Sequence, residues 1–369
     1  MPSYLVSELR AMIKKICFFL VLLFLGYLVV VLIYATYHDY QPDEKIIVSP
    51  DLTATAKTID QDTLKLLTWN IGYSGLGAES DFFYADGRIL LSGGMMIRPP
   101  EAIVKKNVDG ILKTIKEQSA DIFLLQEVDI ASKRSYYFNQ YEAIGQLLPG
   151  YESTFGDNLR TAYSPVPLLE PWRTYGYTHS GIATFARYSS TQTIRYQLPG
   201  KFHWPNRLFL LDRCVLEHRF PVKNGKELII YNIHNSAYDQ DGSIKKQQTA
   251  FLKERWLAEY GAGNYVIAGG DWNQVPPFLN PNIFRPDAPK RENANIDSGL
   301  MPDDWRWIYD PMVPTVRDTR EIYKKDQTFT GLIDFFLLSP NLRALQVKGV
   351  DLDFQYSDHQ PVSVKVVLK

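Results

Sequence analysis

The stretch YVIAGGDWNQVP, residues 265–276, places two polar side chains, Asp271 and Asn273, directly after a short apolar run. The run contains β-branched residues and is bounded by glycines, which predicts a buried strand. A carboxylate at the end of a buried strand costs desolvation free energy unless it is paired or holds a metal. Asp271 and Asn273 are therefore candidate functional residues.

Five further apolar runs have polar side chains at or near one end. They are LKLLTW before Asn70, DIFLLQ before Glu127, ELIIYNIH ending in His234, LIDFFLLS containing Asp334, and PVSVKVVL after Asp358 and His359. Between such runs, residues 101–118 and 245–259 have apolar side chains at helical spacing. Strands that alternate with a few helices predict a mixed α/β sandwich.

Each polar residue also has an ordinary structural explanation when it is taken alone. Asn70 or Asn273 can close a strand through an Asx turn, and Glu127 can pair with a surface Lys or Arg. Asp334 can accept from nearby backbone donors, and a lone histidine is more often structural than catalytic. Perturbed buried charge marks functional sites only statistically, so the hypothesis of a site depends on all six positions together.

The composition excludes several classes of protein. There are 40 Lys and Arg residues against 41 Asp and Glu, and the formal net charge of -1 argues against a surface that wraps long nucleic acids, although a local basic patch is allowed. The 2 cysteines cannot form a disulfide framework or a Cys-rich zinc site. The sequence has no GxSxG, GxxxxGK[ST] or HExxH motif, which excludes serine hydrolases of that type, P-loop NTPases and zincins.

Residues 16–36, ICFFLVLLFLGYLVVVLIYAT, contain no charged side chain. At about 1.5 Å per residue a helix of this length crosses a hydrocarbon core of about 30 Å, which predicts a transmembrane anchor. Arg10, Lys14 and Lys15 precede the run and acidic residues follow it, so we expect residues 1–15 to be cytoplasmic and the catalytic part to be extracytoplasmic. A cleaved signal peptide and a buried core helix are the alternatives.

Residues 37–62 are polar, contain Pro42 and Pro50 and have no sustained period. This composition predicts a linker between the membrane and a folded part. The strand-like runs begin directly after it, so we expect one domain over residues 63–369.

The ordered set TWN, LLQEVD, YNIH, GGDWNQVP, LIDFF and YSDHQP resembles the endonuclease/exonuclease/phosphatase superfamily of DNase I-like proteins. The resemblance spans residues 64–369. It implies a four-layer α/β sandwich, with two mixed β-sheets covered by helices and catalytic residues at the strand ends between the sheets. It also implies that a phosphodiester or phosphomonoester is hydrolysed with a divalent metal, Mg²⁺ or Mn²⁺, and that the substrate is a nucleic acid or a phospholipid or inositol headgroup. The alternative is a non-catalytic binding or scaffold module that retains the fold.

The resemblance implies metal-binding roles for three residues. Glu127 matches the glutamate that holds the metal, Asn70 the asparagine beside it, and Asp358 an aspartate that lends a further contact. Hard oxygen ligands suit Mg²⁺, which takes only one or two carboxylates from a protein.

The resemblance implies catalytic roles for five further residues. Asp271 matches the carboxylate that orients or deprotonates the attacking water, and Asn273 the donor to a phosphoryl oxygen. His359 matches the imidazole at the scissile phosphate, with Asp334 as its partner. His234 matches a second histidine and is a candidate general acid.

The chain departs from the family pattern between Asn70 and Glu127, where residues 75–100 form an insertion rich in aromatic and aliphatic residues. The insertion is either a lip for substrate or membrane, or it packs into the body. Arg98, Arg160 and Arg173 are candidate phosphate clamps, but a solvated surface arginine is the more frequent case.

Overall fold

The structure is a computed structural model that describes residues 3–200, 202–237, 239, 242–285 and 294–369. Its helices are α1 Ser3–Tyr37, α2 Glu101–Gln118, α3 Gln140–Leu147 and α4 Ser243–Gly261. Its strands are β1 Lys45–Ile47, β2 Thr63–Asn70, β3 Ile122–Asp129, β4 Glu152–Ser164, β5 Gly176–Ala186, β6 Gln192–Gln197, β7 Cys214–Pro221, β8 Glu227–His234, β9 Tyr265–Asp271, β10 Arg306–Ile308, β11 Val316–Arg317, β12 Thr330–Gly331, β13 Asp334–Leu338, β14 Leu342–Gly349 and β15 Val362–Leu368.

The longer strands form two mixed sheets. One has 7 strands in the order β1-β6-β7-β8-β9-β13-β10, and the other has 6 in the order β14-β15-β2-β3-β5-β4. Each sheet contains one parallel pair, β8 with β9 and β2 with β3, and its other pairs are antiparallel. The parallel pairs need crossover connections, and α4 and α2 lie within those connections.

Alternate residues of a strand point to opposite faces, and in these sheets both faces are buried. In β2, Leu64 and Leu66 join the core between the sheets, while Leu67 and Trp69 join a second core under α2 and α3. A third core, which includes Trp256 of α4, covers the outer face of the larger sheet. The predicted four-layer sandwich of two mixed sheets flanked by helices is therefore confirmed.

Helix α1 is a candidate membrane span. It is one continuous helix through the predicted cytoplasmic segment and the predicted span, although Met1 and Pro2 lie outside the described residues. Its part Ser7–Tyr37 is the one described helix that is long and apolar enough to cross a membrane, with a mean hydropathy of 3.2 over an 18-residue stretch.

The segment predicted as a linker packs along the domain. β1 pairs with β6 at the edge of the larger sheet, and Leu52, Ala56 and Ile59 form bridges to three other parts of the chain. Ile59 is fully buried in the core between the sheets. The sequence analysis found no period here because the contacts are isolated bridges and one strand of 3 residues.

Candidate active site

The parallel pairs place polar side chains of different motifs at the same edge of each sheet. In the β8 and β9 pair, His234 lies opposite Asp271, and in the β2 and β3 pair Asn70 lies opposite Gln126, one residue before Glu127. In the antiparallel pair of β9 and β13, Asp334 lies opposite Asp271. The sheet registers thus gather residues of five of the six motifs, and the loop before β15 adds Asp358 and His359.

Glu127 is directed into the cleft by a local irregularity of β3. The pairing of β3 with β5 shifts register between Leu125 and Val128, and Glu127 has a φ of 53°. A non-glycine residue in the left-handed region costs free energy and recurs at functional sites, where the surrounding structure enforces it. Its carboxylate accepts a hydrogen bond from Asn70 Nδ2 over 3.3 Å.

Asp271 is at the centre of the site. Its Oδ1 accepts from the backbone N–H of Asn273 at 2.9 Å, and its Oδ2 accepts from Asn70 Nδ2 at 3.0 Å. The Nε2 atoms of His234 and His359 lie 3.3 Å and 3.8 Å from the same Oδ2. The backbone N–H of Asn273 thus fixes one oxygen of the carboxylate, and side-chain nitrogens surround the other.

His359 forms a buried ion pair with Asp334. Its Nδ1 lies 2.8 Å from Asp334 Oδ2, and its backbone carbonyl accepts from Trp69 Nε1 at 2.9 Å. Burial by itself lowers the pKa of His359, but the negative charges of Asp334 and Asp271 outweigh it and raise that pKa well above the usual histidine value. His359 is therefore an imidazolium whose Nε2 faces Asp271.

His234 has the opposite electrostatic environment. Burial, followed by the positive charges of Arg213 and His359, holds its pKa well below the usual value. Its Nδ1 lies 3.5 Å from Asn158 Nδ2, which can only donate a hydrogen bond. Nδ1 is therefore the acceptor, and the proton of the neutral ring is assigned to Nε2, which faces Asp271. Burial without a carboxylate partner at Nδ1 disfavours the imidazolium, and the role of general acid for His234 stays a prediction.

Glu127 and Asp358 form a pair of carboxylates that repel each other. Burial raises the pKa of both, and the charge of Asp358 raises that of Glu127 further. The backbone at Gly72 lies close beneath Asp358, since a Cβ there would be 2.7 Å from Asp358 Oδ1. A divalent cation would relieve this repulsion, and two carboxylates with water are a donor set that suits Mg²⁺.

Asp271, Asp334 and His359 form a second group in which one possible ligand atom of each lies within 4.8 Å of the others. A metal at this group would have to displace the proton that Asp334 and Asp271 favour on His359, which weakens metal binding there. Glu127 and Asp358 therefore fit a metal better than this group does.

Asn70 presents its NH₂ group, not its oxygen, to the carboxylates. Its Oδ1 accepts from the backbone N–H of Gly72 at 3.0 Å, which sets the orientation of the amide. Nδ2 then donates to both Glu127 and Asp271. This differs from the predicted metal contact, because the turn after β2 occupies the amide oxygen.

Asn273 lies beside Asp271 with a φ of 51°. Its Nδ2 donates to the carbonyl of Asn235 at 2.9 Å, and its side chain lines the cleft. One amide hydrogen is thus used to fix the side chain, and the second is available to a phosphoryl oxygen.

Three arginines that the sequence analysis did not single out line the cleft: Arg134, Arg213 and Arg317. Arg134 is paired with Asp129 through Nη2 at 2.8 Å, and Arg317 Nη2 donates to the carbonyls of Leu76, Gly77 and Ser80. Arg134 follows LLQEVD closely, in the loop after β3, but nothing local in the sequence marks Arg213 or Arg317. The candidate clamps Arg98, Arg160 and Arg173 are exposed and lie outside the cleft lining, as expected for solvated arginines.

The cleft has a volume of about 280 Å³ and is lined by six of the eight predicted site residues, Glu127, His234, Asp271, Asn273, Asp358 and His359. Asn70 and Asp334 lie beneath it and contact the lining residues. The arrangement combines a pair of carboxylates able to hold a cation, a central carboxylate able to accept a proton, and an imidazolium and arginines able to stabilise an anion.

Several solved structures have a similar fold. An endonuclease/exonuclease/phosphatase from Beutenbergia cavernae DSM 12333 matches with a TM-score of 0.54 and 16% identity over 84% of this chain and 72% of that chain. The human Nocturnin catalytic domain with bound sulfate anion matches with a TM-score of 0.51 and 18% identity over 84% and 97%. A protein of the same description from Bacteroides vulgatus matches with a TM-score of 0.51 and 16% identity over 84% and 100%.

No curated protein matches the chain by sequence. The model of the Endonuclease/Exonuclease/phosphatase family matches residues 67–359, which include all eight predicted site residues. Because the match covers most of the chain, this protein belongs to the endonuclease/exonuclease/phosphatase family.

Proposed function

We propose that this protein is a metal-dependent phosphoesterase that hydrolyses a phosphodiester or phosphomonoester by attack of water. Members of the family are hydrolases that act on phosphoester bonds. The observation that carries the proposal is the position of Asp271, whose Oδ2 lies within 3.8 Å of donors from Asn70, His234 and His359 in one cleft. A base, an imidazolium and a pair of carboxylates in one cleft suit displacement at phosphorus better than binding alone.

Glu127 and Asp358 would hold the metal, and Asn70 would position Glu127. A divalent cation bound there would polarise a phosphoryl oxygen and offset developing negative charge. Mg²⁺ and Mn²⁺ both accept oxygen ligands, so the donor set does not separate them.

The residues of the chain perform the proton transfer and the charge stabilisation. Asp271 takes a proton from water as the water oxygen bonds to phosphorus and the ester oxygen leaves with its electron pair. The imidazolium of His359, held by Asp334, and the amide of Asn273 stabilise the negative charge on the phosphoryl oxygens. His234, which is neutral, donates from Nε2 and keeps Asp271 oriented.

The full chain in detergent micelles provides the test. We expect hydrolysis of bis-p-nitrophenyl phosphate or p-nitrophenyl phosphate that requires Mg²⁺ or Mn²⁺ and is lost with EDTA. Asp271→Asn removes the base and should lower kcat by about 10²–10⁴-fold. Asp304→Asn, at an exposed position, is the matched control and should keep the wild-type rate.

Metal binding has a readout that does not depend on activity. Because a ligand of the folded state raises stability, Mg²⁺ at about 100 times Kd should add about 2.7 kcal/mol to the free energy of unfolding. Glu127→Gln should reduce this gain, as measured by the thermal midpoint with and without metal. If no metal raises the midpoint and no ester is hydrolysed, the chain is a binding module that retains the fold.

The apolar helix suggests a membrane-anchored enzyme with residues 1–15 in the cytoplasm and the catalytic domain outside. The support is the length and composition of α1 and the basic residues that precede the span. A tag at the C-terminus should be cut by protease added to intact cells. A tag that is protected until the cells are lysed contradicts this orientation.

A further inference from the structure

An apolar groove of about 490 Å³ lies beside the cleft. One wall is α1, through Leu28, Val31 and Leu32, and another is formed by the insertion and the loop after β4, through Phe83, Val166 and Leu168. No charged side chain lines the groove among the residues that the structure describes. Its size is that of a site for a small ligand, and its lining is that of a site for hydrocarbon.

The groove and the active-site cleft are adjacent and share part of their lining. Five side chains line both of them: Phe82, Tyr84, Tyr175, Phe209 and Leu210. A molecule with its phosphate at Glu127 and Asp271 would therefore have an apolar path that leads from the phosphate to α1. The three arginines that line the cleft are not part of the lining of the groove.

The outer rim of the groove is apolar and exposed. Backbone hydrogen bonds from Leu168 to Ile89 and from Leu169 to Leu90 pair the insertion with the loop after β4. The side chains of Ile89, Leu90 and Leu91 are about half exposed, and Trp172 in the same loop is 75% exposed. An exposed apolar patch with tryptophan beside a candidate membrane span is typical of a surface that contacts lipid.

Side-chain contacts fix α1 against the domain. Trp204 Nε1 donates to Thr36 Oγ1 at 3.1 Å, and Arg207 Nε donates to Asp39 Oδ2 at 3.1 Å. With Thr36 at the end of the span, Leu32 and Leu28 lie roughly 6–12 Å below that end at the rise of an α-helix. A bilayer that covers residues 16–36 would therefore place this wall of the groove at the depth of acyl chains.

We propose that the groove binds the apolar chain of an amphiphilic phosphoester taken from the bilayer, so that the substrate class of this enzyme is a membrane lipid phosphoester. This inference rests on the proposed function, because it requires the phosphate to react in the cleft. A nucleic acid is disfavoured, since its backbone would need cations along the groove and the described lining has none.

The test uses a series of p-nitrophenyl alkyl phosphates, from methyl to hexadecyl, with the full chain in phosphatidylcholine vesicles and Mg²⁺. The reacting phosphorus is the same in every member, and only the apolar chain differs. We expect kcat/KM to increase with chain length. Leu168→Trp fills the groove away from the cleft and should lower the ratio of kcat/KM for the hexadecyl to the methyl ester by about tenfold, the equivalent of one or two buried methylenes.

Two further variants control for misfolding of Leu168→Trp and for partition of the esters into the vesicles. Ile89→Trp, at a half-exposed position of the rim, should lower the same ratio even if Leu168→Trp does not fold. Leu345→Trp, at a half-exposed position on β14 at the opposite edge of the smaller sheet from β4, should leave the ratio as in the wild type. The esters partition into the vesicles to the same extent in the assay of every variant. A change in the ratio of kcat/KM between variants therefore reflects binding of the alkyl chain in the groove.

The outcomes separate the two proposals. If the methyl ester is hydrolysed but chain length brings no gain, or if both groove variants keep the gain, the inference is overturned and the proposed function stands. If a single-stranded oligonucleotide is hydrolysed better than the hexadecyl ester by wild type and groove variants alike, the lipid assignment is also overturned. If no ester of the series, no oligonucleotide and no p-nitrophenyl phosphate is hydrolysed with either metal, the proposed function itself fails.

Discussion

The two histidines of the site differ in charge because they differ in their partners. His359 Nδ1 contacts the carboxylate of Asp334, whereas His234 Nδ1 contacts the amide of Asn158. Both rings face the carboxylate of Asp271, but only His359 has a second carboxylate at Nδ1. Burial and the charges of Arg213 and His359 lower the pKa of His234, whereas Asp334 and Asp271 raise that of His359. One cation and one neutral donor thus face the same Asp271 oxygen.

Asp334→Asn tests this assignment. Loss of the negative charge should lower the pKa of His359, so the imidazolium is lost at a lower pH and the basic limb of the pH profile of kcat moves to lower pH. We expect kcat to fall by about 10²–10³-fold, with a smaller change in KM, because a preorganised charge acts mainly in the transition state.

Steady-state kinetics across a pH series measure both effects. Asp303→Asn, at an exposed position, is the matched control and should have the wild-type profile. A basic limb at the same pH in Asp334→Asn and wild type would show that Asp334 does not set the charge of His359.

At the scale of the element, the end of β9 controls the position of Asp271. Gly270 has a φ of 151°, and a Cβ there would lie 1.9 Å from the carbonyl oxygen of Ile233 in β8. The close approach of the two parallel strands is what places His234 opposite Asp271. A glycine is needed at this point because only glycine has neither a side chain nor the steric restriction on φ.

Gly270→Ala should therefore destabilise the domain by roughly 2–4 kcal/mol, since β9 must move away from β8 or distort. The thermal midpoint of the full chain in detergent gives the measurement. Gly261→Ala, at the end of α4 where a Cβ meets no atom within 4 Å, is the control and should have a midpoint close to the wild type. Equal midpoints for the two variants would contradict the packing argument.

At the scale of the whole molecule, a buried histidine outside the site makes stability depend on pH. Burial lowers the pKa of His218 in β7 from 6.5 to about 3. Its Nδ1 lies 2.9 Å from Thr193 Oγ1, and its ring stacks on Phe220 with 5.9 Å between centroids. The folded chain keeps this ring neutral, whereas the unfolded chain protonates it below about pH 6.5.

Since the unfolded state binds the extra proton, His218 makes the free energy of unfolding fall as the pH is lowered from about 6.5 towards 3. The expected loss is about 1.4 kcal/mol for each pH unit in this window. Denaturant unfolding at pH 7.5 and pH 5 should therefore give a smaller difference for His218→Gln than for the wild type. His203→Gln, at an exposed position, should keep the wild-type difference, and an unchanged difference in His218→Gln would refute the role of His218.

The insertion of residues 75–100 shows why the sequence could not decide between two interpretations. Phe83, Met95 and Ile97 pack into a buried cluster, while Ile89, Leu90 and Leu91 are exposed at the rim of the groove. The packed interpretation therefore holds for one part of the segment, and the other part leaves apolar side chains exposed, where a lip for substrate or membrane stays a prediction. The start of the segment is held by Arg317, which donates to the carbonyls of Leu76, Gly77 and Ser80 from about 240 residues along the chain.

The sequence by itself predicted the main strands from their apolar runs and polar ends, and the resemblance of the six ordered motifs implied the four-layer fold and the family. Tertiary structure alone decided which way the Asn70 amide faces, which histidine is charged and which arginines line the cleft. It also decided that α1 forms a wall of an apolar groove that leads to the cleft. These features depend on contacts between distant segments, such as Trp204 with Thr36, and no local pattern encodes such contacts.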